Sequence, residues 1–204
     1  AHTKDRDWTV DKEIREQWIS QVSEYTPLST DSLMDGAVDV AWFHQVYEAL
    51  GASCWKEVYR AAELTAIGSG HMRARIFADA MLGKTTTEAL INRVATKRHQ
   101  DSLRALGLVP LPVDESRQGE ILHRYEVIQE FLRTSKKFGS QRQASERLAV
   151  AISMENLART AGYADPQRLE WAMEVESVDD LADGPVTVQV SETSVSLSID
   201  DLGE

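Results

Sequence analysis

Cysteine is almost missing from this chain: there is one in 204 residues, Cys54. That excludes an internal disulfide framework and any metal centre built on several thiolates. Glycine and proline are sparse too, at eleven and five, too few for the many tight turns of an all-β sandwich. No apolar run approaches the roughly 18 residues that a membrane helix needs, and the first residues carry no signal-peptide pattern. The five histidines (His2, His44, His71, His99, His123) fall into no H-x-x-x-H spacing. Neither a metal nor a cofactor is therefore expected.

Positive charge is missing from one region. Residues 165–204 contain eleven acids and a single base, Arg168, whereas residues 1–164 contain 21 bases and 22 acids. The net charge of −11 thus belongs to the last fifth of the chain. A general nucleic-acid coat is excluded, because phosphate binding needs clustered positive charge. A local basic site is not excluded: residues 118–164 carry seven bases against five acids.

What is present is helical periodicity. Ile14, Trp18, Ile19 and Val22 share one face before Pro27. Ser29 or Thr30 begins a helix expected to run to Leu50, with Val38, Trp42, Val46 and Ala49 inward and Gly51 ending it. A helix from Ser53 follows, broken at Gly68-Ser69-Gly70, and then a shorter one that turns Ile76, Phe77, Ala80 and Met81 inward. Thr87 is expected to cap a helix that continues to Leu106, with Gly107 as its terminator. Pro110 and Pro112 mark a connector over 107–117. Ile121, Tyr125, Ile128 and Leu132 define the clearest helix; Gly139 ends it, and Ser140 is expected to cap the next. In that one Ala144, Leu148, Ala151, Ile152 and Leu157 are expected inward, with Gly162 closing it. Asp165-Pro166 reads as an N-cap followed by proline at the first helical position.

Near the C-terminus the period changes from 3.6 to 2. Val186, Val188 and Val190 alternate with polar residues, as do Val195, Leu197 and Ile199. A four-residue loop would pair 190 with 195, 188 with 197 and 186 with 199, giving a β-hairpin with one apolar face. Two strands alone are marginal in water, so that face is expected to be covered by the helices or by further strands. The fold class expected is therefore mainly α: antiparallel helix pairs, either an irregular bundle or a short HEAT-like array, with a C-terminal β-hairpin. The helical domain spans 1–181, with a possible sub-boundary in 107–117. An acidic hairpin extension spans 182–204 and is expected to continue in a longer native chain.

Two motifs bear on function. Ala78-Asp79-Ala80-Met81-Leu82-Gly83-Lys84-Thr85 fits a loosened phosphate-loop pattern and suggests a nucleotide-binding enzyme using Lys84. No buried strand precedes it, and the structural alternative is a helix end with Gly83 in the left-handed position. The second motif is the basic group Arg133, Lys136, Lys137, Arg142 and Arg147 around Gly139-Ser140. Bases gathered at a helix N-terminus, with Ser140 at its start, suit a phosphate, a nucleic-acid backbone or an acidic partner. The alternative is two exposed helix faces whose bases pair with Glu130 and Glu146. No catalytic residue is assigned.

The stretch HRYEVIQEFLRTSKKFGSQRQASERLAVAISMENLARTAGYADPQRLEWAMEVE, residues 123–176, resembles the MolR-like proteins. So do KRHQDSLRALGLVPLP, residues 97–112, and GPVTVQVSETSVSLSIDDLGE, residues 184–204. These are very large bacterial polypeptides, often associated with a WGR domain. The resemblance implies a cytoplasmic bacterial protein and a helical internal segment of a longer chain. Its partner would be another protein or the remainder of the same polypeptide. Together these readings favour a helical scaffold or protein-interaction module. A nucleic-acid or phosphate-binding module on residues 133–147 is the alternative.

Overall fold

A computed structural model describes residues 12–65, 70–178, 184–190 and 193–198. Among these residues there are nine helices and one two-stranded antiparallel sheet, so the protein is mainly α with a C-terminal hairpin. No helix among them is long and apolar enough to cross a membrane.

The N-terminal half is cut into shorter helices than its periodicity suggests. After α1 (Lys12–Ser23), the helix expected from Ser29 to Leu50 is two. Ser29 caps α2 (Thr30–Asp35), which stops at Gly36 in the left-handed region at φ 111°. Then α3 (Val40–Thr65) begins, with Asp39 accepting from the Trp42 N–H at 2.9 Å. The break between them is held from far along the chain. The buried Asn156 side chain accepts from Val38 N–H at 3.0 Å and donates to the Gly36 carbonyl at 3.1 Å. Those groups are satisfied without a helix, so nothing drives the segment to continue as one. The expected break at Gly51 is present as a non-helical residue, φ 71°, inside α3. Of the break expected at Gly68-Ser69-Gly70, only Gly70 is among the described residues; it opens α4 (Gly70–Met81).

The helix expected from Thr87 to Leu106 is also two. Thr86, not Thr87, caps α5 (Thr87–Lys97). Arg98 then takes φ 48°, and His99 caps α6 (Gln100–Leu106) by accepting from the Ser102 N–H at 3.1 Å. In α6, Ser102, Leu103, Arg104, Ala105 and Leu106 are all buried, because α4, α5 and α8 (Ser140–Ala161) enclose it. Gly107 follows α6 at φ −70°, so its role differs from the expected left-handed terminator. A Cβ there would lie 2.5 Å from Leu157 N and 2.8 Å from the Ser153 carbonyl oxygen. Glycine is required because the backbones of α6 and α8 nearly touch.

Across the connector 107–117, α7 (Arg117–Ser135) packs on α8, and α9 (Pro166–Ser177) packs on both. One apolar core joins Phe77, Leu90, Leu103 and Leu106 to Ile128, Leu157, Leu169 and Met173, drawing from both sides of the connector. A smaller cluster of Leu28, Leu33, Ala37 and Ile152 seats α2 on α8. Contact between α2 and α8 joins segments far apart in the chain. Gly83, Gly162 and the Asp165-Pro166 start take the roles their sequence suggests.

The hairpin pairs β1 (Val186–Val190) with β2 (Thr193–Leu197) in a register two residues from the expected one: Val186 faces Leu197, and Val188 faces Val195. A shift of two keeps the same side chains on one face, and it leaves only two residues between the strands, the commonest hairpin connection. Thr187 and Ser196 hydrogen-bond across the other face at 2.8 Å. Ile199, expected opposite Val186, lies outside the described residues. Among the described residues the helices do not cover the apolar face: Val188, Val195 and Leu197 are each more than half exposed.

Replacing Gly107 with Ala should lower stability by about 2–3 kcal/mol, the cost of forcing an atom into packed backbone. Denaturant unfolding of the two proteins checks this. The Gly83→Ala change, where a Cβ meets nothing within 4 Å, should cost less.

Candidate functional site

The basic group expected around Gly139-Ser140 surrounds the turn from α7 to α8. Gly139, at φ −67°, is the N-cap of α8, so Ser140 is the first helical residue and makes no side-chain cap. What fixes the turn is buried beneath it. The Glu146 side chain has no exposed surface. Arg98 meets it through both ends of the guanidinium: Nε to Oε1 at 3.0 Å and Nη2 to Oε2 at 2.6 Å. Arg98 also donates to Thr134 Oγ1 at 2.8 Å and to the Phe131 carbonyl at 3.0 Å. Its guanidinium lies 4.1 Å from the Phe131 ring centre and 4.9 Å from that of Phe138. One arginine thus ties the α5–α6 elbow to the end of α7 and the first turns of α8.

Arg142 completes the set. Its Nε donates to Glu146 Oε1 at 3.0 Å, and its guanidinium covers Phe138 at 3.8 Å. Burial alone would push the Glu146 carboxyl up. Hydrogen bonds from Arg98 and Arg142, together with the Arg98 charge, outweigh it and bring the carboxyl down to about 2. Arg142 is therefore committed within the protein, and Arg133 pairs with Glu130.

The remaining bases separate. Arg133, Lys136 and Arg147 line one depression of about 390 Å³ with Gln129, Gln143 and Ser135, and no carboxylate borders it. Lys137 faces the other side of α7, at the end of a cleft of about 610 Å³ beside α5. That cleft has an apolar floor of Ile91, Val94, Val127, Phe131 and Phe138, and its α7 rim carries Glu126 and Glu130.

The phosphate-loop pattern is the end of a helix. Gly83 is left-handed at φ 66°, and the Lys84 N–H donates to the Asp79 carbonyl at 2.8 Å. The amides that would cradle phosphate are turned onto α4's own carbonyls, which removes the loop geometry the motif requires. Cys54 is exposed. No group of three His, Cys, Asp or Glu suited to a metal occurs among the described residues.

Two arginines that join helices, Arg124 fully buried and Arg98 partly so, escaped sequence reading. Arg124 lies in the core, where it bonds Glu120, Thr87 and the carbonyls of Leu106, Val109 and Pro110. Burial lowers its pKa while Glu120 raises it. Its i, i+4 spacing from Glu120 was the available signal. Arg98 had none, because its partner is 48 residues away.

Residues 1–173 match a family of unknown function, DUF5724. The chain belongs to that family. No curated protein and no solved structure matches it. The matched span of DUF5724 holds the whole Arg98–Glu146–Arg142 assembly and both depressions beside it, and stops short of the hairpin.

Glu146→Gln should lower stability by about 3 kcal/mol, since it leaves the part-buried Arg98 without its counter-charge. The folded carboxyl takes a proton near 2, the unfolded one near 4.5. Between these values the unfolded chain binds more protons, so stability should fall as pH drops through that window. Thermal melts across pH 2–7 check both points: the Gln variant should lose part of the acid dependence.

Proposed function

We propose that this chain is a helical interaction module and that its binding element is the cleft between α5 and α7. The observation that supports this is the cleft's make-up: an apolar floor of about 610 Å³ between two helices, with Glu126 and Glu130 along one rim. Such a groove suits the apolar face of an amphipathic helix. Glu130 is paired with Arg133, so Glu126 is the rim carboxylate left to select a helix with lysine or arginine beside its apolar stripe. The interior charges support a scaffold role, since the buried Arg124 and Glu146 and the part-buried Arg98 are all spent on joining helices. The resemblance to MolR-like proteins supports the same reading. In a large cytoplasmic bacterial polypeptide, a helix of this kind comes from a protein partner or from the remainder of the chain.

Ala95 is exposed and lines the cleft, so Ala95→Arg obstructs it without entering the core. A labelled amphipathic peptide of leucine and lysine should bind the native protein, and Ala95→Arg should weaken it at least tenfold with the melting temperature unchanged. Absence of binding, or equal binding by the variant, rejects the proposal.

The depression lined by Arg133, Lys136 and Arg147 supports a second reading, an inorganic-anion or phosphate site: Arg133 is paired with Glu130, but Lys136 and Arg147 have no ion pair among the described residues. Lys136→Glu with Arg147→Glu should abolish phosphate binding measured by calorimetry at low salt. Retained heat would discard this reading.

A further inference from the structure

A third cleft combines aromatic surface with uncommitted cations. It lies between the second half of α3 and α4, and holds about 550 Å³. Its wall begins at the break in α3. Gly51, at φ 71°, folds the two halves of that helix so that Tyr47 and Trp55 meet with ring centres 5.8 Å apart. Phe43 backs both rings, at 6.1 Å from Tyr47 and 5.3 Å from Trp55. Tyr59, one turn beyond Trp55, continues the wall, and its hydroxyl is buried without a hydrogen-bond partner.

Lys56 and Arg60 flank Tyr59 on α3, and Lys84 approaches from the turn after α4. All three are exposed, and none of their side chains has a salt bridge or hydrogen bond to another described residue. Asp79, on the same cleft, is answered by Arg75 at 3.7 Å. Glu63 adds one free carboxylate, an acceptor suited to a base's amino group. Aromatic faces beside free cations match a ligand that carries an aromatic base and phosphate together.

We propose that the α3–α4 cleft binds a phosphorylated nucleobase, with Tyr47 and Trp55 offering stacking surface and Lys56, Arg60 and Lys84 holding phosphate. This differs from a phosphate loop, because the cations act through side chains and not through loop amides. It is also separate from the amphipathic-helix groove and from the Arg133–Arg147 depression. The shared chemistry has two sources, a free nucleotide and a single strand.

Fluorescence polarisation with a labelled oligothymidylate, and competition by ATP, distinguishes them. Oligonucleotide binding that ATP does not displace assigns the site to single strands; displacement by ATP assigns it to free nucleotide. Either result supports the proposal. Three phosphate contacts predict a slope of about −2 for the logarithm of the strand-binding constant against that of salt. Lys56→Glu with Arg60→Glu should weaken binding at least tenfold, and Trp55→Ala about fivefold or more. Lys136→Glu with Arg147→Glu should leave it unchanged. The proposal is overturned if neither probe binds at low salt, or if the Lys56/Arg60 variant binds normally. Inorganic polyphosphate binding as tightly as the oligonucleotide also overturns it, since the aromatic wall would then contribute nothing. Circular dichroism of each variant separates lost binding from lost folding.

Discussion

A carboxylate without solvent must be neutralised, and in this protein the neutralising group comes from 48 residues earlier in the chain. Glu146 sits on α8 with no exposed surface, so Arg98 must reach it. That demand explains several otherwise unrelated features. Arg98 adopts φ 48°, a conformation costing a non-glycine residue about 1 kcal/mol. The same conformation ends α5 and lets His99 start α6. Arg98 then spends its remaining donors on Thr134 and the Phe131 carbonyl, which fixes the end of α7. A charge pair of this kind is weak evidence for net stability, since burial of both ions opposes their attraction. Its clearer effect is geometric: it dictates which helices meet and where each one ends.

The same helix carries two further buried polar groups. Ser153 donates to the Leu103 carbonyl at 2.6 Å, and Asn156 bonds the chain at Gly36, Val38 and Arg104. With Glu146 they form a polar stripe along α8 that faces the core. Of the five residues apolarity marks as inward, Ile152 and Leu157 are buried, whereas Ala144, Leu148 and Ala151 are turned to solvent. A helix presents one stripe to its neighbours, and here hydrogen-bond demand from three broken segments outweighs the burial of a leucine and two alanines. Each unmet backbone group in the core would cost about 1–3 kcal/mol, comparable to burying a leucine.

The basic cluster shows how a linear run of charge divides in three dimensions. Arg142 and Arg133 are matched by Glu146 and Glu130. Lys137 turns to one side of α7, and Lys136 and Arg147 turn to the other. Lys136 and Lys137 lie in the turn that follows α7, and the two neighbours border different depressions. The cleft on α3 and α4 is the reverse case. Its cations are scattered over residues 56–84, and only the fold gathers them beside the aromatic wall.

Local signals alone settled the helical class, the positions of Gly36-independent stops such as Gly83 and Gly162, the proline-led start of α9, and the two-residue period of the hairpin. These depend on glycine's freedom at positive φ, proline's fixed φ and side-chain period, which act within a few residues. The tertiary structure decided where the two long helical runs break, which face of α8 turns inward, and why Gly107 must be glycine. It also set the hairpin register, since a slip of two preserves the pattern of apolar side chains. Each of those depends on a partner distant in the chain, or on a choice between arrangements that local chemistry ranks alike. Asn156 reaching Gly36, Arg98 reaching Glu146 and the backbone of α8 pressing on Gly107 are interactions that no short stretch of residues can express.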